Sequence, residues 1–510
     1  MIDGQALPDS IAGYGNVRPY RDDAIPPAFI ERTTVQVKTS GRGTQKLLCS
    51  IEAALDACAV QDGATLSFHH HLRNGDQVLN MVLDAAARRG LKDLRIAPSS
   101  LFAVHEPLIE HIRSGVVTRV VTSYMTGPVA NAISQGVLAA PVVMQTHGGR
   151  ARAIEAGELH IDVAFIAAPC ADSRGNVNGV EGRAACGPLG YAMVDVQFAD
   201  RVVAITDHLA AFPICPIDIR QDQVDFVVTV ESIGDPRGIL SGTTRSTNDP
   251  IGLRIAATAA QVIEASGLLV DGFSFQTGAG GVSLAVADCL RETMQRHGTV
   301  GSFAAGGVTG SLCQMLEQGL FRSIFDVQCF DLAAVESYRR DPRHQAMSAS
   351  LYANPHSRGA LVDMLDAMVL GAAEVDLNFN VNVTTGATGT ILGGSGGHAD
   401  TAAGAKLAIV TTKVVAGGGP KFVERVGCIT TPGQTVDVVV TELGVAVNPL
   451  RAELADRLRS AGVRTISIQE LCAAASRSQA APPLPRAEGR IVAVLEYRDG
   501  SVIDVVRTAA

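Results

Sequence analysis

Residues 272–286 read GFSFQTGAGGVSLAV, and this stretch decides how the rest of the chain is interpreted. Phe273 and Phe275 flank Ser274, an alternation that predicts a short buried strand. Glycines and an apolar helical face follow it, at Gly278, Gly280, Gly281, Leu284, Val286 and Leu290. A tight turn without a ligand explains one such loop as well as a binding loop does. The free N–H groups of a strand–glycine–helix unit can, however, hold a phosphate or a developing oxyanion.

Two further glycine loops lie in the second half of the chain. They read AAGGVTG at 304–310 and GGSGGHADTAAG at 393–404. Loops that follow parallel strands meet at the carboxyl edge of a sheet, so three loops would line one cleft with backbone donors. A close helix–strand contact remains the alternative for any single loop. The cleft would suit a thioester carbonyl and a nucleotide pyrophosphate, and its predicted thioester- or CoA-binding residues are Gly278, Gly280, Gly281, Gly393, Gly394, Gly396 and Gly397.

The second half of the sequence repeats the first. Asp172, Asn176, Val177 and Asn178 recur 204 residues later as Asp376, Asn380, Val381 and Asn382. QVDFVVTV from 223 reappears as TVDVVVTE from 435. Ordered matches at a nearly constant offset indicate two copies of one structural unit.

Continuous Val/Ile runs alternate with helical stretches, which predicts parallel sheets buried on both faces. The fold class is therefore α/β, with two tandem, duplicated parallel-sheet domains. We predict an irregular N-terminal arm over 1–43, a first domain over 44–235 and a second over 236–510. Apolar spacing predicts helices that start at Leu47 and Val78. The second domain is expected to end in a hairpin tail that turns at Asp499-Gly500 and packs back.

The composition excludes several classes of protein. The chain has 510 residues, a net charge of −9 and no tryptophan, so a nucleic-acid partner is not expected. Its ten cysteines show no metal-type spacing, so we expect reduced thiols and no metal site. There is no basic and apolar signal segment, and no apolar run reaches the length of a membrane span. We therefore expect a cytoplasmic protein without a membrane partner.

Several strings occur in the order and spacing of CoA-transferases. They are FSFQTGAGGVSLAV, LEQGLFRSIFDVQ, AAEVDLNFNVN, GGSGGHAD and TPGQTVDVVVTELGVAVNP. First-half strings such as DGATLSFHHHLRNGDQVLNMV and THGGRARAIEAGELHIDVAFIAAP are closer still to one branch. From about Lys46 to Val506 the chain resembles the α subunits of bacterial citrate lyase, the citrate CoA-transferases. The resemblance implies tandem domains of the CoA-transferase (NagB/RpiA-like) type.

The resemblance also implies a reaction and its participants. Citrate would replace acetate on an acyl-carrier-protein thioester, giving citryl-thioester and acetate. The implied partners are citrate, a β subunit that cleaves the citryl-thioester, and a γ carrier subunit in an oligomeric lyase complex. No permanently bound cofactor is implied. The acyl-thioester substrate would be acetyl-CoA or the carrier's phosphoribosyl-dephospho-CoA arm.

One departure from related CoA-transferases concerns their covalent glutamate. The 4-hydroxybutyrate branch has a His-Thr-Glu string before the helix that corresponds to 311–319. Here Gly306, Gly307, Val308 and Thr309 precede that helix, and none is a carboxylate. The resemblance therefore implies a ternary complex without a glutamyl intermediate. Predicted catalytic residues are Gly306, Gly307, Glu374 and His398. Glu374 is included because the first copy has Cys170 in its place.

A tricarboxylate needs cations or N–H donors. The candidates for binding citrate are His69, His70, His71, Arg73, His147 and Arg150. Solvated loop residues are the alternative for the His triplet, whereas His147 follows a predicted strand and is expected to face the ligand.

Two functional alternatives remain at this point. The protein could be a CoA-transferase for citramalate or another hydroxy acid. It could also be a non-catalytic scaffold subunit of the lyase, although the three glycine loops argue against that.

Overall fold

The computed structural model describes residues 7–22, 31–34, 44–240, 244–478 and 489–508. Within these ranges the chain forms 14 α-helices. They are α1 Ile51–Ala57, α2 Val78–Arg88, α3 Leu108–Arg113, α4 Pro128–Ser134, α5 His147–Glu155, α6 Ala192–Phe198, α7 Pro250–Ser266, α8 Gly281–His297, α9 Gly310–Glu317, α10 Leu332–Arg340, α11 Ala349–Ala353, α12 His398–Gly404, α13 Ala452–Ser460 and α14 Ile468–Ser478.

The same ranges contain 28 strands, many of them only two residues long. The first thirteen are β1 Ser10–Ile11, β2 Gly15–Asn16, β3 Leu47–Leu48, β4 Thr65–Phe68, β5 Leu94–Pro98, β6 Val117–Thr122, β7 Val142–Met144, β8 Val163–Ala168, β9 Cys170–Asp172, β10 Val177–Asn178, β11 Arg201–Thr206, β12 Leu209–Ala210 and β13 Phe226–Thr229. The others are β14 Ser274–Thr277, β15 Gly301–Val308, β16 Phe321–Cys329, β17 His344–Ala346, β18 Ala367–Gly371, β19 Glu374–Asp376, β20 Val381–Asn382, β21 Leu407–Thr411, β22 Val415–Ala416, β23 Gly419–Pro420, β24 Phe422–Val423, β25 Val438–Val440, β26 Val445–Val447, β27 Ile491–Glu496 and β28 Val502–Arg507.

Two large sheets share one topology. The first has the order β28-β27-β7-β6-β5-β4-β8-β11-β13-β3, and the second has β17-β16-β15-β14-β18-β21-β25-β26. From β7 to β13 and from β17 to β25 the strand sequence is the same, and all these neighbours pair in parallel. The central strands are buried along their length, which explains their continuous apolar runs. The predicted α/β fold and its duplication are therefore confirmed.

The repeated Asp and Asn residues form the same turn in both copies. Asp172 accepts hydrogen bonds from the backbone N (3.1 Å) and the side-chain Nδ2 (2.8 Å) of Asn176. Asp376 accepts the corresponding pair from Asn380 at 3.0 and 3.1 Å. The repeated spacing of these residues therefore reflects one structural turn that is present in each half.

The helix predicted to start at Leu47 starts later. Leu47 and Leu48 form β3, which pairs in parallel with β13 at the edge of the first sheet. Helix α1 begins at Ile51, where the Ser50 Oγ accepts from the Ala53 N at 3.2 Å and caps the helix. The helix predicted from Val78 is observed as α2.

The C-terminal hairpin belongs to the first sheet, not to the second domain to which the sequence analysis assigned it. Strand β27 pairs in parallel with β7, and β28 pairs antiparallel with β27. Residues 142–144 would otherwise form an edge of the first sheet, so the hairpin covers backbone groups that need partners. The other predicted domain boundaries stay predictions.

The described part of the N-terminal arm lies on this hairpin. The Tyr20 N donates to the Val502 O at 2.9 Å, and Ile11 packs in a small apolar cluster with Val494, Val502 and Val505. The remaining arm residues, at 1–6, 23–30 and 35–43, lie outside the described ranges. Residues 241–243 and 479–488 lie outside them as well. No described helix is long and apolar enough to cross a membrane.

Candidate active site

The loops at the carboxyl ends of both sheets line a cavity of about 360 Å³. The first half contributes His70, Arg73, Ser100, Phe102, Tyr124, His147 and Tyr191. The second half contributes residues 276–280, Gly307, Val327, Gln328, Phe330, Tyr352, Met368, residues 370–373, Val383 and residues 392–398. No Asp, Glu, Lys or Cys is among these described wall residues. The walls therefore offer hydrogen-bond donors and one guanidinium, but neither a carboxylate nor a thiol nucleophile.

Arg73 is the only arginine on the cavity wall within the described ranges. Its side chain is buried and forms no hydrogen bond or ion pair with described protein atoms, and its Nε is fully enclosed. The guanidinium lies over the rings of Phe102 (4.8 Å) and Phe330 (5.6 Å), one from each half. Burial lowers the pKa of Arg73, although an arginine stays charged under all ordinary conditions. An unpaired buried cation at a cavity wall is a site for an anion.

His70 presents a neutral N–H to the cavity. The Ser99 Oγ accepts from the His70 backbone N at 3.1 Å and lies 2.6 Å from the ring Nδ1. With the Ser99 hydroxyl hydrogen assigned to Nδ1, the ring proton lies on Nε2. Burial lowers the pKa of His70 well below its usual value, and His147 and Arg73 lower it further. His70 can thus donate a hydrogen bond without carrying a charge.

The ring of His147 stacks on that of His70, and the Tyr191 ring packs against both at a tilt. The rings of His147 and Tyr191 are 4.6 Å apart, and His70 lies 4.6 Å from Tyr191 and 5.7 Å from His147. Burial lowers the pKa of His147 to about 3, with contributions from Arg150 and Arg73. The stacked rings form a polar but uncharged wall beside Arg73.

Three of the six predicted citrate-binding residues do not line the cavity. Arg150 donates to both carboxylate oxygens of Asp195, at 2.8 and 2.7 Å, and to the Ala97 O at 2.9 Å. The His69 Nε2 lies 3.0 Å from the same carboxylate. Burial alone would raise the pKa of Asp195, but Arg150 and His69 outweigh that effect and hold it well below its usual value. Arg150 and His69 are therefore occupied by an internal partner.

The third of these residues, His71, is buried behind the wall, where its ring stacks on His69 (6.1 Å) and Tyr191 (5.7 Å). His70, Arg73 and His147 are the predicted ligand residues that the fold brings to the cavity. Their role in binding citrate stays a prediction.

Residues 393–397, which we call the glycine strap, join the second half to the first. The Gly396 N donates to the Ser123 O (3.1 Å), the His147 N donates to the Gly396 O (2.8 Å), and the Met125 N donates to the Gly393 O (3.3 Å). A Cβ on Gly394 would lie 2.5 Å from the Ser123 O, so a side chain would push the two halves apart. The four glycines of the strap all line the cavity, and a close approach between chains accounts for their composition.

The glycine loop that follows β14 lies on the opposite half of the wall. Gly278 and Gly280 line the cavity, whereas Gly281 starts α8 and is not a wall residue. Gly280 has a φ of 159°, and the Gly278 N already donates to the Val369 O at 2.7 Å. The Gly278 N–H is therefore already used in a hydrogen bond within the protein, and the first N–H groups of α8 have no partner inside the helix.

Gly306 and Gly307 lie at a bulge in β15, where the register with β16 shifts. Gly306 has a φ of +98°, and a Cβ there would lie 2.2 Å from the Gln276 Nε2. A Cβ on Gly307 would lie 2.0 Å from the Phe330 ring, which covers this position. Gly307 lines the cavity but Gly306 does not. Any larger residue at 307 would have to displace the ring that contacts Arg73.

The two remaining catalytic candidates are both fixed by hydrogen bonds. The His398 Nε2 bonds to the Gly371 O at 2.8 Å and its Nδ1 to the Thr431 Oγ1 at 2.7 Å, so neither ring nitrogen is free to act as a base. Burial lowers the pKa of His398 to about 4. His398 thus lines the cavity as a neutral, structurally engaged side chain.

Glu374 does not line the cavity, which is where a carboxylate that touches the reactants would have to lie. Its carboxylate accepts from the Asn382 Nδ2 at 2.9 Å and from the Gly427 N at 3.2 Å. In the first copy the equivalent Asn178 donates instead to Glu181 at 3.3 Å. The equivalent Asn side chains of the two halves thus donate to carboxylates at different sequence positions. This explains why Glu374 has no counterpart at Cys170.

Sequence reasoning missed most of the aromatic and amide residues of the wall. Tyr191 precedes α6 and Tyr352 lies in α11. Gln276 lies in β14, Phe330 follows β16, and Phe102 lies four residues after β5. The Gln276 Nε2 donates to the Tyr352 hydroxyl at 2.7 Å. Gln276 lies within the stretch 272–286, but no motif marks the other four, and only a position after a parallel strand could have identified some of them.

Comparison with known proteins gives a consistent picture. A family model described as citrate lyase, alpha subunit, matches residues 44–509. The citrate lyase alpha chain of Escherichia coli K12 is 48% identical over 462 residues, covering 91% of each chain. That of Klebsiella pneumoniae is 46% identical over 468 residues, covering 92% of each.

Solved structures agree with these relatives. A Streptococcus mutans protein described as the alpha subunit of citrate lyase, in complex with citrate, is 46% identical, covers 100% of both chains and gives a TM-score of 0.95. A Pseudomonas malonate decarboxylase hetero-tetramer matches at 19% identity and a TM-score of 0.64, which shows a shared fold alone.

Proposed function

The chain belongs to the citrate lyase alpha-subunit family, and from this premise we propose that it exchanges acetate for citrate on an acyl thioester within a ternary complex. The thioester would be acetyl-CoA or the acetylated arm of a carrier subunit, and the products citryl-thioester and acetate. A β subunit would then cleave the citryl-thioester. The observation that carries the proposal is Arg73, a buried guanidinium that has no hydrogen-bond or ion-pair partner among the described residues and lies on a wall whose described residues include no carboxylate.

The cavity wall supports recognition of a polycarboxylic acid. Arg73 can hold one carboxylate with two parallel hydrogen bonds, since its planar guanidinium matches that geometry. His70 can donate its Nε2–H to a second oxygen. The absence of acidic wall residues among those described means that an incoming anion meets no like charge.

The proposed reaction balances without a protein nucleophile. One citrate carboxylate attacks the acetyl carbonyl, a C–O bond forms, and the C–S bond breaks to release a thiolate and a mixed anhydride. The thiolate then attacks the citryl carbonyl of the anhydride, and acetate leaves with the bridging oxygen. No proton is transferred, so a general base is not required. This agrees with His70, His147 and His398 being neutral and poorly basic.

The protein's contribution to this reaction would be orientation and stabilisation of the oxyanions. Holding both reactants in a near-attack geometry can replace roughly 7–11 kcal/mol of the barrier. Each well-placed N–H donor to a tetrahedral oxyanion is worth about 3–4 kcal/mol. The donors proposed for this purpose are the His70 Nε2–H and the backbone N–H groups of the wall residues 279 and 280.

Single-turnover isotope transfer tests the proposal. Citrate labelled with 18O in its carboxylates is mixed with acetyl-CoA, or with the acetylated carrier, and an excess of protein. We expect citryl-thioester and acetate that carries one 18O atom, because the bridging oxygen comes from citrate. Label found in a protein glutamate, with unlabelled acetate, would show a covalent enzyme intermediate and would contradict the ternary complex.

The same assay separates the alternatives. Citramalate replaces the carboxymethyl group of citrate by a methyl group, so it tests whether a third carboxylate is required. Faster turnover of citramalate than of citrate would favour a different hydroxy acid as substrate. If neither thioester yields acetate with either acid, the protein is a scaffold and the proposal fails.

A further inference from the structure

The anion site at Arg73 is held by a closed ring of contacts within the first half. Arg73 itself has a φ of +50°, a left-handed conformation that a side-chain-bearing residue rarely adopts. Its conformation must therefore be imposed by its surroundings. Four residues supply the ring of contacts, namely Arg73, Asp76, Phe102 and His105.

His105 links two of these residues through its ring nitrogens. The Phe102 N donates to the His105 Nδ1 at 3.0 Å, so Nδ1 carries a lone pair and the ring proton is on Nε2. The His105 Nε2 lies 3.2 Å from the Asp76 Oδ2, to which it donates. All three residues are buried, with exposed fractions of 1% for His105, 3% for Asp76 and 4% for Phe102.

Asp76 and Phe102 each contact Arg73 in turn. The Asp76 N donates to the Arg73 O at 3.3 Å and closes the turn that holds its left-handed backbone. The Phe102 ring lies 4.8 Å from the guanidinium carbon. A cation over an aromatic face keeps its N–H edges available, whereas a carboxylate partner would occupy them. The ring of contacts therefore fixes both ends of Arg73 and leaves its donors free.

We propose that His105 is a positioning residue that holds the Phe102 ring against Arg73 and thereby sets the affinity of the cavity for a carboxylate ligand. His105 does not line the cavity and touches no reactant. Its effect passes through the Phe102 backbone and ring. The proposal rests on the proposed function only for the identity of the ligand as citrate.

Two substitutions distinguish the hydrogen bonds that His105 makes with Phe102 and with Asp76. His105→Leu has a similar volume and removes both hydrogen bonds. His105→Asn keeps an acceptor close to the place of Nδ1 and so can still hold the Phe102 N–H. His111→Leu is the matched control, because His111 on α3 forms a similar pair with Asp84 on α2 (3.0 Å) and is not a wall residue.

Calorimetric titration of full-length protein with citrate, without thioester, measures the first consequence. We expect His105→Leu to weaken citrate binding roughly 3- to 30-fold, the range for loss of a desolvated cation–π contact. His105→Asn and His111→Leu should stay within about threefold of wild type on the same scale. KM for acetyl-CoA should not follow the change in citrate affinity. Wild-type citrate affinity in a folded His105→Leu protein would overturn the proposal, as would equal losses for both reactants.

A second measurement keeps this test independent of the proposed function. Phenylglyoxal modifies accessible guanidinium groups, and peptide mass analysis reports its reaction with Arg73 when no substrate is present. We expect faster modification of Arg73 in His105→Leu than in wild type and His111→Leu, because the Phe102 ring no longer covers the guanidinium. If wild type does not bind citrate but this difference appears, the proposed function fails and the positioning role stands. If the rates are equal, the positioning role fails.

Discussion

Two buried arginines of the first half show how partners decide the role of a residue. Arg73 and Arg150 are exposed by 6% and 2%, and both were expected to bind citrate. Arg150 forms a two-pronged ion pair with Asp195, whereas Arg73 lies over two aromatic rings and has no ion-pair partner within the described ranges. A paired guanidinium stabilises its surroundings, and an unpaired one costs folding free energy that a ligand can recover. The two residues therefore respond in opposite ways to the same substitution.

Arg73→Met should abolish citrate binding and stabilise the protein at the same time. Removing an unpaired buried charge should raise the free energy of unfolding by about 1–3 kcal/mol, since its desolvation cost disappears. Arg150→Met should instead lower it by about 3–5 kcal/mol, because Asp195 is left buried without its main partner. Urea unfolding and citrate calorimetry of both variants check the prediction. A destabilised Arg73→Met protein would show that Arg73 is structural.

At the scale of elements, helix α5 is capped across the interface between the two halves. The Asp400 carboxylate on α12 accepts from the Thr146 Oγ1 (2.8 Å) and the Gly148 N (2.9 Å), at the start of α5. Thr146 in turn accepts from the Gly149 N at 2.8 Å. Together with the glycine strap, this contact fixes His147 on the cavity wall. The helix that carries a predicted ligand residue is thus positioned by the other half of the chain.

Asp400 should make stability depend on pH. Burial raises the pKa of Asp400 to about 6, although Arg498, the Gly148 N–H and Thr146 oppose the shift. The folded protein then binds this proton more tightly than the unfolded chain, whose Asp pKa is about 3.9. Stability from this group is therefore highest below about pH 4 and falls as the pH rises to about 6, by about 3 kcal/mol in total.

The free energy of unfolding of Asp400→Asn, minus that of wild type, should rise by up to about 3 kcal/mol between pH 4 and 7. Urea unfolding at several pH values measures this difference. Asp363→Asn is the control, because it removes another carboxylate beside Arg498 (3.2 Å) and leaves Asp400 in place. A difference that stays constant with pH for Asp400→Asn would contradict the prediction.

At the scale of the molecule, the two sheets are copies of one unit that share a core. A single hydrophobic cluster includes Phe165 of the first sheet and Phe275 of the second. The chain ends break the symmetry, since β27 and β28 extend only the first sheet. The C-terminal hairpin therefore follows the second half in sequence but completes the sheet of the first half in space.

Val494→Ala and Val439→Ala should reveal this arrangement as a matched pair. Both valines are fully buried, in β27 and β25 respectively, and each loss should cost about 2–3 kcal/mol. Amide hydrogen exchange should increase most at 142–144 for Val494→Ala and most at 407–411 for Val439→Ala, because these are the paired strands. The same exchange pattern for both variants would show that the hairpin is not specific to the first sheet.

The sequence by itself determined the α/β class, the duplication, most parallel strands and the family, because these depend on local apolar patterns and on motifs with fixed spacing. It also located the glycine loops, since close chain contacts exclude side chains wherever they occur. Only the tertiary structure decided which polar residues face the cavity. His70 and His69 are neighbours in sequence, but successive residues point in different directions, and one is a wall residue while the other meets Asp195 more than a hundred residues away. The residues that pair with Arg150 and cap α5, and the aromatic rings that pack on Arg73, come from segments distant in sequence. No local pattern predicts such contacts.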